Sequence, residues 1–279
     1  MKAAVAQINC ILGNIEKNIE KHIKVCEEAI SQNAVLIVFP ELSLTGYSLK
    51  DLNYDVCINP NKTDVLDPIK KLSKKIDIVC GFAEEDDTFS VYNSAAYFSE
   101  GDIKFIHRKI YPPTYGIFEE RRYFSAGKDC RAFDTKFGRT GLMVCEDLWH
   151  LSVPYMLAVD KAQLLIGIAA SPTRIAPSSD NFRNYEINSE HHKTYSRILS
   201  SYLLFSNRVG FEDGVNFWGG SEIVDPSGTV LAKAKLFEED TVFADIIIEE
   251  VKRNRHLARH FLDEDPDLTL RNLKKINKS

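Results

Sequence analysis

A layered α/β fold around a buried, mixed sheet is predicted by three features of the sequence. Apolar runs rich in Val, Ile and Ala recur along the chain, a helix-period pattern separates the first two, and two hairpin-like segments interrupt the alternation. The runs are Ala3 to Ile8, Val35 to Phe39, Ile76 to Phe82, Leu142 to Cys145 and Leu164 to Ala170. Strands this uniformly apolar belong to a sheet covered on both faces, since neither face carries residues suited to water.

Taken in order, Ala3 to Ile8 is the first strand. Ile15, Ile19, Ile23, Cys26 and Ile30 then recur at intervals of three and four, which places them on one face of an amphipathic helix. Val35 to Phe39 follows as the second strand. Tyr92 to Phe98, the turn residues Ser99-Glu100-Gly101-Asp102 and Ile103 to Ile110 form one expected hairpin. Ser221 to Val224, Asp225-Pro226-Ser227-Gly228 and Thr229 to Ala234 form another. Such antiparallel pairs among crossover strands make the sheet mixed. Ser171 to Asn188, with Pro172 and Pro177, is too polar for a core element and is expected to be a surface loop leading into a helix over Ser189 to Leu204. No Gly/Ser-rich linker divides the chain. One domain over residues 1–250 is expected, with 251–279 as a C-terminal tail packing on that domain or on a subunit interface.

The 279 residues carry a net charge of −5, with 44% hydrophobic and 27% charged residues, the composition of a soluble globular protein. The longest apolar stretches, such as Leu164 to Ala170, fall well short of the ~18–20 residues that span a bilayer, so no membrane partner is expected. The polar, charged segment after the first ten residues lacks a signal-peptide pattern, which predicts a cytoplasmic location. Residues 251–279 hold eight Lys or Arg against four Asp or Glu, but the charges lack the repeated aromatic interleaving of nucleic-acid-binding segments. The six cysteines are irregularly spaced, without a CxxC pair, and read as reduced thiols rather than a disulfide framework or zinc knuckle. His191-His192 has no second ligand pair at metal spacing, so no metal is expected.

In α/β sheets the ligand crevice lies beyond the carboxyl ends of the strands, so polar residues that end apolar runs are the first candidates. Glu41, Lys109 and Cys145 each stand there. Singly, each has an ordinary structural use: a solvated strand end, a surface charge, a small buried hydrophobe. Jointly, a carboxylate can take the thiol proton, an ammonium can face an oxyanion, and the thiolate can attack a carbonyl or nitrile carbon.

The residues around these positions resemble the nitrilase, or carbon-nitrogen hydrolase, superfamily. The resemblance rests on Phe39-Pro40-Glu41-Leu42-Ser43-Leu44-Thr45-Gly46-Tyr47, His107-Arg108-Lys109, Glu119 to Phe124, and Gly141-Leu142-Met143-Val144-Cys145-Glu146-Asp147. Ser206 to Gly210 and Phe217 to Ser221 extend it over about nine-tenths of the chain. It implies a four-layer αββα sandwich that pairs into homodimers or higher homo-oligomers. It also implies Cys145 as nucleophile, Glu41 as general base and Lys109 as stabiliser of the tetrahedral intermediate. The second glutamate lies eleven residues after the lysine in related amidases, which selects Glu120 over Glu119. No metal or organic cofactor is implied.

Tyr47 to Leu52, Tyr115 to Glu120 and Cys145 to Trp149 further resemble the glutamine-hydrolysing domain of glutamine-dependent NAD synthetases. That likeness points to Tyr115 and Glu146 as substrate contacts. No Ser-Gly-Gly-x-Asp-Ser ATP pyrophosphatase loop occurs, and the Asn207 to Ser221 region looks like free-standing amidases and N-carbamoyl amidohydrolases. The expectation is a hydrolase that cleaves a small amide or N-carbamoyl compound through a cysteine thioester and releases ammonia. The alternatives are a glutaminase subunit supplying a separate ATP-dependent synthetase, a nitrilase, and a non-catalytic protein that keeps only the fold. The last would have lost a catalytic residue, and none is missing.

Overall fold

A computed structural model describes residues 1–173 and 183–278. Two six-stranded sheets lie at its centre. The first is built from β1 (Lys2–Gln7), β2 (Leu36–Val38), β3 (Asp77–Glu85), β4 (Val91–Ser99), β5 (Asp102–Arg108) and, at its other edge beside β1, β14 (Asp240–Asp245). The second contains β6 (Phe133–Thr135), β7 (Gly138–Val144), β8 (Leu164–Ala169), β9 (Tyr202–Asn207), β12 (Glu222–Val224) and β13 (Val230–Lys233). A separate hairpin pairs β10 (Val209–Glu212) with β11 (Val215–Trp218). Strands β1 to β3 run parallel, as do β7 to β9, and antiparallel strands complete each sheet.

Strand alternation explains the layers. From β1, Ala3 and Val5 point into a core shared with Leu142, Val144, Leu164 and Ile166 of the second sheet. Ala4 and Ala6 point the other way, onto α1 (Ile15–Ser31) and α3 (Asp67–Leu72). On the far face of the second sheet, Met143, Leu165 and Leu203 meet α5 (Ser152–Val159) and α6 (Asn184–Leu199). The order is therefore helix, sheet, sheet, helix, the expected αββα sandwich. Shorter helices are α2 (Asn53–Val56) and α4 (Glu120–Tyr123), and the chain closes with α7 (Ile248–Leu257) and α8 (Pro266–Ile276). Among the described residues, no helix is long and apolar enough to cross a membrane.

Both expected hairpins form, the first turning at Glu100 and Gly101 with φ of 55° and 85°, the left-handed pair that matches strand twist. One expectation fails. The helix predicted over Ser189 to Leu204 starts earlier, at Asn184, and ends at Leu199, so the last five residues assigned to the loop are helical. Ser200 turns left-handed with φ of 46°, and Tyr202 onward is the buried strand β9. A short apolar run has no period that separates a buried strand from a buried helix, and no Gly or Pro marks the break. The remainder of the expected loop, residues 174–182, lies outside the described residues.

Candidate active site

Strand ends place the three candidates on one rim. Strands β2, β3 and β5 are mutually parallel through the intervening β4, so Glu41, three residues past β2, and Lys109, the first after β5, emerge on the same side. Cys145 follows β7 directly and opens a 3-10 turn over Cys145–Trp149. Its φ is 48°, a left-handed conformation that costs a non-glycine residue strain and that clusters at functional sites.

Glu41 and Lys109 are wholly buried. Lys109 Nζ donates to Glu41 Oε1 and to Glu120 Oε1, each at 2.8 Å. Asn93 Nδ2 on β4 donates to the same Glu41 oxygen at 2.7 Å. Glu41 Oε2 accepts the amide of Ala170, just past β8, at 2.6 Å, so this carboxylate bridges the two sheets. Gly81 on β3 permits the close approach of the Glu41 loop, because a Cβ there would lie 2.4 Å from the Leu42 nitrogen. On α1, Asn18 Nδ2 holds Leu44 O at 3.0 Å and His22 Nε2 meets Ser43 Oγ at 2.9 Å, anchoring that loop from the helix side.

Glu120 opens α4 and is buried, whereas Glu119 is exposed. Its Oε1 also accepts the Tyr47 hydroxyl at 2.7 Å. Burial pushes the Glu120 carboxyl up to about 7, with Lys109 opposing the shift and Glu41 adding to it. Burial alone would lower the Lys109 pKa, but the Glu120 and Glu41 carboxylates outweigh it and hold the ammonium charged. The Cys145 thiol is pushed well up by desolvation and then by Glu41, with Lys109 in opposition, so it rests as the thiol. Burial, then Glu120 and Glu41, likewise keep the Tyr47 hydroxyl protonated.

Asp147 ties the two strand ends together. Its Oδ2 lies 2.8 Å from His107 Nε2 and accepts Val144 N at 3.0 Å, while Oδ1 accepts the amides of Ile110 and Tyr111 at 3.0 and 3.2 Å. The residues flanking Lys109 are thus fixed to the residues flanking Cys145.

A cavity of about 130 Å³ opens over Cys145, lined by Tyr115, Phe118, Glu146, Trp149, Ser171 and Pro172 among others. Tyr115 donates its hydroxyl to Glu146 at 2.9 Å, so both candidate substrate contacts stand together on the wall. The Ser171 amide donates to Asn207 Oδ1 at 2.8 Å, which sets the opposite lip. Trp149 is half-exposed at the cavity, whereas Trp218 is core. Larger hollows elsewhere, such as the 610 Å³ apolar groove between α5 and α8, contain none of these groups. Sequence reasoning gave no role to Asn93, Ala170, Asp147, His107 or Tyr47. Of these, only Tyr47, His107 and Asp147 lie in the motifs that stood out.

The carbon-nitrogen hydrolase family pattern matches residues 2–256. The chain is 31% identical over 254 residues to the glutamine-dependent NAD(+) synthetase of Acinetobacter baylyi, covering 89% of this chain and 44% of that protein. It therefore spans less than half the length of that relative. It is 27% identical to a probable nitrilase of Schizosaccharomyces pombe, covering 96% and 97% of the two chains. A solved carbon-nitrogen hydrolase from Helicobacter pylori superposes with a TM-score of 0.82 at 25% identity, over 98% of each chain. With the pattern spanning almost its whole length, the chain belongs to the carbon-nitrogen hydrolase family, within the nitrilase superfamily.

Proposed function

We propose that this enzyme hydrolyses the amide carbon-nitrogen bond of a small substrate through a thioester on Cys145. The observation that carries this reading is the Lys109 ammonium, held 2.8 Å from two buried carboxylates at the strand-end rim that Cys145 shares. Because the thiol rests protonated, attack is coupled to proton removal, and Glu41, the carboxylate that acts most strongly on the thiol, is the base in this reading. Sulfur bonds to the carbonyl carbon, the carbonyl π electrons move to oxygen, and Lys109 faces the resulting oxyanion. Collapse breaks the carbon-nitrogen bond, and the proton on Glu41 goes to the departing ammonia or amine. Water, deprotonated by Glu41, then cleaves the thioester and restores the thiol.

Glu146 and Tyr115 on the cavity wall supply a carboxylate and a hydroxyl suited to a substrate ammonium. The preferred substrate in this reading is a small amide with a cationic or zwitterionic group. Glutamine meets that description, and the likeness to NAD synthetases favours a second reading in which the ammonia feeds a separate ATP-dependent synthetase. Ammonia release should be measured from purified protein across glutamine, other primary amides, N-carbamoyl amines and nitriles. An acylated Cys145 should be trapped by acid quench and seen by mass spectrometry. Release from nitriles alone, or turnover without a cysteine adduct in a Cys145→Ala variant, would overturn the reading. Strong stimulation by an added synthetase would select the second.

A further inference from the structure

Tyr47 reaches Glu120 from a loop beyond the strand ends, and its position is fixed at three points. Its amide donates to Glu212 Oε1 at 2.9 Å, and the next amide, of Ser48, donates to the same oxygen at 2.6 Å. Its ring meets Phe217 edge-on, with centroids 5.7 Å apart. Its hydroxyl is delivered to Glu120 Oε1 at 2.7 Å, beside the Lys109 ammonium. Gly46 precedes it with φ of 87°, and a Cβ there would come within 2.7 Å of Leu12 Cα, so the loop has little freedom to move.

Glu212 is itself held. Its Oε2 accepts Arg208 Nη1 at 2.7 Å, and both side chains are buried. The guanidinium also donates to Cys10 O at 3.2 Å and lies over the Phe217 ring, 4.4 Å from its centroid. One buried ion pair thus fixes both the backbone of Tyr47 and the ring that Tyr47 packs against. Buried ion pairs are weak contributors to stability because desolvation offsets their attraction. A positioning role accounts for this one better.

We propose that the Arg208–Glu212 pair is a positioning device for the catalytic centre, acting through Tyr47 to hold a hydroxyl on Oε1 of Glu120. The proposal rests on the reading of Glu41, Lys109, Glu120 and Cys145 given above. With Tyr47 and Lys109 both donating to Oε1, that oxygen is committed as an acceptor. Oε2 is buried and without a partner among the described residues, which makes it the atom that carries the carboxyl proton. The titratable groups facing Glu120 are Lys109, Glu41, Tyr47 and Cys145, each from a different segment. Of these, Lys109 stabilises the ionised carboxylate by charge and hydrogen bond, and Tyr47 adds to it by a hydrogen bond alone. Loss of the Tyr47 bond should leave Glu120 protonated to higher pH.

The experiment is a double-mutant cycle with Tyr47→Phe and Glu212→Gln, reading kcat and KM against pH on the best amide found. Tyr47→Phe keeps the ring and every backbone contact, so its effect reports the hydroxyl alone. Each single variant should lower kcat by about ten- to a hundredfold with little change in KM, the size of loss expected from misplaced catalytic groups. Both should move the Glu120-dependent limb of the kcat profile to higher pH. The double variant should be no worse than the weaker single one, because both act on one hydroxyl. Additive losses, or an unmoved limb in Tyr47→Phe, would overturn the proposal. If Glu212→Gln does not fold, Arg208→Lys takes its place in the cycle under the same criteria. Cys145→Ala separates the two levels: retained turnover there removes the underlying reading, whereas an inactive Cys145→Ala beside an unshifted Tyr47→Phe removes only the positioning role.

Discussion

Asp147 Oδ2 accepts the backbone N–H of Val144 at 3.0 Å, so the residue two places after Cys145 grips the one before it. The left-handed turn at Cys145 is closed by its own neighbours, and the same carboxylate reaches across to His107, Ile110 and Tyr111.

Removing that carboxylate leaves three amides and a buried imidazole without their acceptor. Asp147→Ala should therefore cost about 3–5 kcal/mol, the range for breaking a buried pair. Thermal unfolding should show Tm lower by roughly 10 °C. A change under a degree or two would mean the turn is held by other means.

Cys145→Ala should be inactive and folded. Cys145→Gly should be equally inactive yet more stable than Cys145→Ala by about 1 kcal/mol, because glycine adopts φ of 48° without Cβ strain. Denaturant titration of the two variants makes the comparison. Equal midpoints would show that the turn stores no such strain.

Glu41→Gln and Lys109→Met should each lower kcat about 10²- to 10³-fold, the usual loss when a charge-assisted partner of the transition state goes. KM should change far less. Lys109→Met should also be the less stable of the two, since it leaves Glu41 and Glu120 facing each other in a buried site. A defect confined to KM would make these residues substrate anchors.

Glu120 gives a pH signature. Its carboxyl is pushed from an ordinary 4.5 up to about 7, so between those values the folded chain binds more protons there than the unfolded chain does. The stabilisation from this group is complete below about 4.5 and is lost as pH rises through about 7. Glu120→Gln should remove that slope from a plot of unfolding free energy against pH. An unchanged slope would assign it to other groups.

Glu146→Ala should raise KM for amides bearing an ammonium more than for neutral amides of the same size. Steady-state kinetics on a matched pair decides this. Equal changes would take Glu146 out of substrate recognition.

The strand-end candidates were legible because Glu41, Lys109 and Cys145 each interrupt an apolar run where a buried sheet stops. Asn93 was hidden: it sits inside β4, and only the pairing of β4 with β3, which sets Asn93 opposite Ala83, brings its amide to Glu41. Ala170 was hidden for a different reason, since its contribution is a backbone amide that no side-chain pattern announces. Asn18 and His22 lie on the buried face of α1 beside Ile19 and Cys26, where apolar periodicity counts them as exceptions. Strand β9 was lost to its apolar run, which reads equally well as the end of a helix.

The bond from Ala170 N to Glu41 Oε2 joins residues 129 positions apart, one on each sheet. Because it spans the two sheets, this bond exists only once they have docked. The completed site is therefore a reporter of sheet docking. A half-assembled chain, its sheets undocked, would leave Cys145 in water and open to a thiol reagent, and the fading of that reactivity during refolding would time the moment the halves meet.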